Sequence, residues 1–453
     1  MRTEIVIDAL RRLFSGSERS SKVKKNIFAS FIIKGVSVLI SLALVPLTID
    51  YVSSELYGIW LTLSSIILWV GFFDIGFNLG LKNKLAEAIA NDNYEFGKSL
   101  VSTTYVLMFI IFVPLCCILL LVIPYIDYSA LLNVDAKYET DIIKAMYIIV
   151  VCFGANMIMG VLSAVVAAFQ MSALSSAFNT ISNFFSLITI YILTKTASPS
   201  LQSLALAISI IPPGVLLVSS IILFRTKFKS VSPSLKTFNW CYIRDLFTLG
   251  GRFFIIKIQI VVLYQMTNVL ISNLSDPNTV TVYNVAYKYL SILMMGFTMI
   301  VDPLWPAFTD AYTKNDYSWM VSVYKKMTKV YIGFFFAFIL FVLVSPIAYS
   351  IWIGDKVYVP WQMTVSVALY LIILSWSQLQ VTLINGTGKV KLQTYVTLAG
   401  LLIHLPLSYF LGQWFNGLGV VFSMSIINAI YALFFTIQIH RIINRTANGI
   451  WIK

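Results

Sequence analysis

The sequence predicts an all-α integral membrane protein, with twelve transmembrane helices in two pseudo-symmetric six-helix lobes. Of its 453 residues, 59% are hydrophobic and only 11% are charged, and the mean hydropathy is +0.86. A soluble domain has about 45–50% apolar and about 25% charged residues, so this surplus cannot be buried in a single core. The composition therefore excludes a soluble enzyme, a nucleic-acid-binding domain and a secreted disulfide scaffold.

The membrane spans follow from stretches of sufficient length and hydropathy. A helix needs about 20 mostly apolar residues to cross a bilayer. The sequence contains twelve such stretches, at 27–47, 56–73, 100–122, 142–165, 174–193, 203–224, 253–274, 282–304, 330–351, 364–384, 395–411 and 417–438.

The distribution of basic residues tests this count. With both termini cytoplasmic, 25 of the 32 Lys and Arg residues fall in cytoplasmic segments, and only Lys137, Lys195 and Lys356 fall in external loops. This asymmetry is the one that the positive-inside rule expects. The net charge of +13 therefore reflects topology. It suits anionic membrane lipids as partners and argues against nucleic acid.

The chain divides around a basic cytoplasmic linker. We expect a basic amphipathic cytoplasmic segment at 1–26, an N-lobe with helices 1–6 at 27–224, the linker at 225–250, a C-lobe with helices 7–12 at 251–438 and a cytoplasmic tail at 439–453. The sequence FIIK at 31–34 recurs at 254–257, in the first helix of each half. Six helices per half give the two repeats the same orientation, and binding sites in such transporters lie at the repeat interface. Helices 1, 2, 7 and 8 would then line a shared cleft.

Three lysines within the spans are the candidate substrate-binding residues. An ionised side chain costs about 2.5–3.5 kcal/mol at the centre of a membrane, so it usually faces a bundle interior or reaches the interface. Lys34 and Lys257 occupy equivalent positions in the two halves, and Lys288 lies some six residues inside predicted helix 8. A cationic cavity of this kind fits an anionic ligand such as a phosphate. In the alternative interpretation, Lys34 and Lys257 extend to the cytoplasmic interface.

Polar residues at helical spacing extend this candidate site. Ser41 follows Lys34, and Tyr264 and Asn268 follow Lys257, each on the face of the lysine. With Gln378 of helix 10, they are candidates for the polar lining of a cavity; interhelical hydrogen bonding is the alternative role for Gln378.

Two acidic residues lie near the cytoplasmic ends of the second helix of each half. These residues, Asp74 and Asp302, are candidates for ion coupling or for charge pairing with the lysines, and a structural role at the helix end is the alternative. The four cysteines and two histidines show no metal-ligand spacing. No complete phosphate-binding P-loop occurs, so ATP-driven transport by this chain alone is excluded. We also expect no cofactor, no metal site and no enzymatic activity.

Several motifs carry a family resemblance. They read PLTID at 46–50, YGIW at 57–60, GFFDIG at 71–76, LKNKLAEA at 81–88 and DPLWPAF at 302–308. This pattern resembles the polysaccharide-exporter branch of the multidrug/oligosaccharidyl-lipid/polysaccharide (MOP) superfamily, and in particular the O-antigen (Wzx-type) flippases. The resemblance implies a MATE-like fold, with two lobes around a cavity that opens to one side of the membrane at a time.

The resemblance also implies a function. Its substrate would be an undecaprenyl-diphosphate-linked oligosaccharide, which is moved from the inner to the outer leaflet of the bacterial inner membrane. Family members carry cationic cavity residues, and Lys34, Lys257 and Lys288 are the positions that match by type and location. Expected driving forces are the membrane potential, H⁺ or Na⁺, and expected partners are a polysaccharide polymerase and a chain-length regulator. Two alternatives stay open: a multidrug or other lipid exporter, and a membrane enzyme of polysaccharide assembly.

Overall fold

The computed structural model describes residues 18–70, 76–169, 171–243, 246, 266–302 and 304–452. Within these ranges the regular structure is helical, and no β-strand occurs. Ten described segments are long and apolar enough to cross a membrane, and a shorter apolar helix occupies Ser54–Leu68. The predicted all-helical, multi-pass fold is therefore confirmed. The count of twelve spans stays a prediction, because most of the predicted span 253–274 lies outside the described residues.

Most helices in the first half of the chain extend beyond the apolar windows that predict them. A helix persists at both ends as long as its residues tolerate helical geometry, whether or not they lie in the hydrocarbon. The helices are α1 (Glu18–Val52), α2 (Ser54–Val70), α3 (Phe77–Ala90), α4 (Tyr94–Val122), α5 (Tyr128–Leu132), α6 (Glu139–Met159), α7 (Val161–Ala168), α8 (Ser172–Thr196), α9 (Leu201–Ser209) and α10 (Ile211–Arg225).

The second half follows the same plan. After the helical residues 266–274 come α11 (Pro277–Val301), α12 (Leu304–Thr313), α13 (Tyr317–Trp352), α14 (Trp361–Thr387), α15 (Lys391–Phe415) and α16 (Gly417–Ile443). Each half contains a short helix that the sequence did not predict, α3 after the second predicted span and α12 after the eighth. This shared feature is what the predicted internal repeat would produce.

The chain folds into two compact units. The first unit comprises Met1–Val52, Val70–Ile126 and Glu139–Ile255, and the second comprises Ser53–Trp69, Asp127–Tyr138 and Ile256–Lys453. Helix α2 and the loop that contains α5 therefore pack within the second unit. The lobe boundaries predicted from the sequence, 27–224 and 251–438, stay a prediction.

In the first unit, α1 packs along α8 through polar as well as apolar contacts. The Thr180 hydroxyl donates to the carbonyl of Ile33 at 3.3 Å, and the Asn183 amide donates to the Ser37 hydroxyl at 3.4 Å. Hydrogen bonds of this kind hold membrane helices together where the hydrophobic effect does not. The polar residues of α1 therefore include a helix-packing set besides the predicted cavity set.

In the second unit, α2 approaches the start of α11 at a glycine. A methyl group on Gly58 would lie only 1.8 Å from the carbonyl oxygen of Pro277. The Thr281 hydroxyl of α11 also donates to the carbonyl of Ser54 at 2.7 Å. The missing side chain lets the two backbones meet, as small residues commonly do between membrane helices.

The loop that contains α5 is anchored to the same unit by its backbone carbonyls. The Ser272 hydroxyl donates to the carbonyl of Leu132 at 2.6 Å, and the Asn273 amide donates to that of Leu131 at 3.0 Å. The Asn133 amide in turn donates to the carbonyl of Ser275. The first two bonds satisfy carbonyls at the end of the short helix, and the third satisfies the carbonyl of Ser275.

Candidate functional site

A row of hydrogen-bonded polar side chains crosses the interior of the second unit. The Asn284 amide of α11 donates to the Asn268 side-chain oxygen at 2.9 Å, and the Asn268 amide donates to the Ser65 hydroxyl of α2 at 2.8 Å. Ser65 donates in turn to the carbonyl of Leu61 at 2.8 Å. We call Ser65, Asn268 and Asn284 the amide row. It joins three helical segments: α2, residues 266–274 and α11.

Lys288 lies one helical turn beyond the amide row on α11. Residues four apart share a helix face, so Asn284 and Lys288 are neighbours on one side of the helix. The side chain of Lys288 is half-buried. A cationic side chain therefore follows the amide row on the same face of α11.

Lys288 lies deeper along its helix than the sequence predicted. Helix α11 begins at Pro277, because the Asp276 carboxylate accepts the N–H of Thr279 at 2.9 Å and caps the helix. Lys288 is thus eleven residues from the start of a 25-residue helix. At about 1.5 Å per residue this depth is roughly 16 Å, near the middle of the helix. The apolar window predicted from the sequence starts at 282, five residues after the helix does, because hydropathy gives no signal for the capping residue Asp276.

The charge of Lys288 has no acidic counterpart on its own helix. Between Asp276 and Asp302 the sequence of α11 contains no Asp or Glu. The ion pairs between described residues include Lys84 with Glu87, Lys137 with Asp135 and Lys314 with Asp310, and none of them involves Lys288. A cation at this depth needs water or an anion to offset its desolvation. The position is therefore suited to binding a negatively charged group.

The other predicted residues are not joined to the amide row by any hydrogen bond or ion pair between described residues. Lys34 lies on α1, but its side chain is outside the described set, and Lys257, Tyr264 and Asp74 lie outside the described residues altogether. Ser41 on α1 and Gln378 on α14 are half-buried. Of the predicted residues, Asn268 belongs to the amide row and Lys288 follows its member Asn284 by four residues, and the roles of the others stay predictions.

Asp302 occupies the end of α11. It is exposed, its N–H donates to the carbonyl of Thr298 at 2.8 Å, and its own carbonyl accepts the N–H of Trp305 at 3.3 Å. Its backbone thus links α11 to α12. This geometry fits the structural alternative for Asp302, and a coupling role for its carboxylate stays a prediction.

Two members of the amide row were missed from the sequence. Asn284 precedes Lys288 by four residues within an apolar helix, so helical spacing could have identified it. Ser65 carries no such signal, because its partner Asn268 is 203 residues away. Serine is also common in membrane helices as a packing residue.

The apolar helices define a class of protein, the multi-pass membrane proteins, and their fold is similar to that of transporters of the MOP superfamily. A solved multidrug-resistance MATE transporter of that superfamily, in an inward-facing conformation, has a TM-score of 0.73 at 12% identity, over 92% of this chain and 96% of the other. A MOP transporter from Pyrococcus furiosus has a TM-score of 0.61 at 13% identity, over 94% and 97%. At such identities the likeness concerns the fold alone.

The sequence comparisons give the family. A model described as "Polysaccharide biosynthesis protein" matches residues 23–312, and the chain belongs to this family. A Yersinia pseudotuberculosis protein whose name describes O-antigen export is 22% identical over 367 residues, which cover 79% of this chain and 81% of the relative. The predicted family and transporter fold are thereby confirmed.

Proposed function

We propose that this protein moves a polyprenyl-diphosphate-linked oligosaccharide from the inner to the outer leaflet of the bacterial inner membrane, with both of its termini in the cytoplasm. The observation that carries the proposal is Lys288, a lysine near the middle of an apolar helix at the end of the amide row. The family match to polysaccharide biosynthesis and the O-antigen export relative support the choice of substrate.

The chemistry of such a substrate calls for a site of this kind. A diphosphate and several sugars cannot cross about 30 Å of hydrocarbon unaided, since both would lose their hydration. A lysine binds phosphate as a compact point charge with three donors. We propose that Lys288 holds the diphosphate, that Lys34 and Lys257 contribute further positive charge, and that the polyprenyl tail stays in the lipid.

The membrane potential is a sufficient driving force in this proposal. Moving one charge through 100 mV is worth about 2.3 kcal/mol, so two negative charges leaving an inside-negative cell would gain about 4–5 kcal/mol. Exchange against H⁺ or Na⁺ through Asp74 or Asp302 is the other coupling that we propose to test. A polysaccharide polymerase and a chain-length regulator would act on the delivered product.

Two other functions are distinguished from the proposed one by the charges in the spans and by what the external loops contain. A multidrug exporter shares the fold, but a site for organic cations would place carboxylates in the middle of the first or seventh predicted span, and the sequence has no Asp or Glu at 27–47 or 253–274. A membrane enzyme of polysaccharide assembly would need a catalytic constellation. The longest predicted external loop, at 123–141, is short for such an enzyme, and its acidic residues have no obvious partner constellation in the sequence.

The decisive experiment compares the effects of substituting lysines in different spans on surface polysaccharide. In a strain that lacks the wild-type gene, we expect Lys288→Ala to abolish surface polysaccharide at normal protein level, and Lys288→Arg to retain part of it. Lys144→Ala is the matched control, because Lys144 also lies in a span but is exposed. We expect Lys34→Ala and Lys257→Ala to behave like Lys288→Ala.

Reconstitution gives the direct measurement. Vesicles that contain the purified wild-type protein should transfer a lipid-linked oligosaccharide between leaflets, and vesicles with Lys288→Ala should not. Full surface polysaccharide in the Lys288→Ala strain would remove the site from the proposal. Failure of the wild-type protein to transfer the lipid would remove the proposed function itself.

A further inference from the structure

A cavity of about 580 Å³ opens at the end of the second unit where α11 begins. Its walls come from the start of α11, the start of α14 and the turn between α15 and α16. The charge distribution of the sequence predicts that all three segments face the outside of the cell. The volume lies within the range of about 300–1,000 Å³ that is typical of ligand sites.

The polar groups of this cavity are hydrogen-bonding groups without positive charge. The Asp276 carboxylate accepts the backbone N–H and the hydroxyl of Thr279 at 2.9 and 2.7 Å, which leaves further lone pairs available. Gln362 and Asn416 are exposed at the wall, and no hydrogen bond between described residues occupies either side-chain amide. The described lining contains no Lys or Arg.

An exposed aromatic ring connects this cavity to a second one. Tyr358 lines both cavities, and 84% of its surface is exposed. The second cavity, of about 330 Å³, adds Trp361 and Asp355. Aromatic rings with this exposure beside carboxylate and amide groups offer an apolar face and hydrogen-bonding partners at the same place.

We propose that these two cavities form an external binding site for the oligosaccharide part of the transported lipid. A sugar ring presents a C–H face that packs on an aromatic ring, and hydroxyls that bond to carboxylates and amides. The diphosphate does not fit here, because Asp276 and Asp355 repel a negatively charged group. The inference rests on the proposed function and adds that the sugars have their own site, separate from the charge of Lys288.

Direct binding tests the inference on the full-length protein in lipid nanodiscs. The probe is the repeat-unit oligosaccharide of the host strain, released from its lipid carrier by mild acid, and the measurement is saturation-transfer NMR with titration. We expect Tyr358→Ala to raise the Kd at least tenfold and Gln362→Ala to raise it severalfold. Tyr125→Ala is the matched control, because Tyr125 is a predicted external tyrosine with 88% exposure that lines neither cavity.

Three results would overturn the inference. Equal oligosaccharide affinity in the wild type, Tyr358→Ala and Tyr125→Ala would remove the site. A lower protein level in Tyr358→Ala with unchanged affinity would make Tyr358 an anchor at the membrane interface. Binding of the probe tetraphenylphosphonium but not of the oligosaccharide would assign the cavities to organic cations.

The vesicle transfer assay separates this inference from the proposed function. If wild-type vesicles transfer the lipid-linked oligosaccharide but the protein binds no free oligosaccharide, the inference fails and the proposed function stands. If wild-type vesicles transfer no lipid, the proposed function fails whatever the binding result.

Discussion

Gly58 is the position where the smallest substitution should have the largest structural effect. In the helix interior, replacing Gly by Ala ordinarily stabilises a protein by about 0.5–1 kcal/mol, because it restricts the unfolded chain. At Gly58 the added methyl would lie 1.8 Å from the carbonyl oxygen of Pro277 and 2.6 Å from its carbonyl carbon. Both atoms are backbone, so no side-chain rotation can relieve the overlap.

The structure sets the size of the effect. Ordinary van der Waals contact begins near 3.4 Å, so α2 and the start of α11 must separate by more than 1 Å to accept the methyl. That movement lengthens the bond from the Thr281 hydroxyl to the Ser54 carbonyl, now 2.7 Å. Overpacking of this kind costs about 1–3 kcal/mol. We therefore expect Gly58→Ala to destabilise the protein, which reverses the usual sign.

Gly333 provides the control within the same unit. It lies inside α13, and no atom would come within 4 Å of its added methyl. Gly333→Ala should therefore leave stability unchanged or raise it by the ordinary helix gain. The measurement is the apparent Tm of the purified protein in detergent, followed by fluorescence-detected size-exclusion chromatography after heating.

The two variants must then differ in direction. We expect a lower Tm for Gly58→Ala and an equal or higher Tm for Gly333→Ala, both relative to the wild type. If Gly58→Ala is as stable as Gly333→Ala, the close approach of α2 to α11 at Gly58 does not exist.

Three further predictions address other contacts. A double-mutant cycle with Asn268→Leu and Asn284→Leu should give a coupling energy of about 0.6–1.7 kcal/mol in mixed-micelle unfolding, and zero coupling would contradict their hydrogen bond. A backbone N–H in the first turn of α13 holds the pKa of the Asp316 carboxyl below its usual range. The ionised cap is therefore fully present above about pH 4 and is lost as the pH falls through the lowered pKa. Amide exchange in the first turn of α13 should follow this loss in the wild type. In Asp316→Asn the exchange should not show this pH dependence. Ser272→Ala removes the donor to the Leu132 carbonyl, so amide exchange in the loop that contains α5 should quicken, and unchanged protection would count against the anchor.

The sequence was sufficient to predict the all-helical class and most of the spans, because a membrane-spanning helix needs a long apolar stretch and hydropathy detects such stretches. It placed helix ends less well where polar residues continue a helix. Helix α13 begins at Tyr317, thirteen residues before the apolar window that starts at 330, because lysines such as Lys325 and Lys329 are good helix formers outside the hydrocarbon. The short helices α3 and α12 escaped prediction because neither is long enough to span a membrane.

The candidate site was only partly predictable for a different reason. Lys288 stands out from sequence alone, since a lone lysine in an apolar stretch is costly. Ser65 does not, because its place in the amide row depends on α2 packing within the second unit, and contacts between residues about 200 positions apart leave no periodic pattern. The charged residue and Asn268 could be predicted, and Asn284 carried a spacing signal, but the hydrogen bonds that join Asn268 to Ser65 and to Asn284 could not be predicted.

The polar side chains of the amide row and the charge of Lys288 should affect the protein differently, the first through stability and the second through the proposed transport. The side chains of the amide row donate to partners within the second unit, so their hydrogen bonds contribute to packing, and their loss should appear first as lower stability. Lys288 forms no ion pair with a described acidic residue, so its charge must be offset from outside the described part of the protein. Removing Lys288 should then leave the Tm unchanged or raise it, because a costly charge is lost, while under the proposed function export fails. If Lys288→Ala lowered the Tm as much as Asn268→Leu does, Lys288 would contribute to packing like the amide row, and its role in binding a ligand would be refuted.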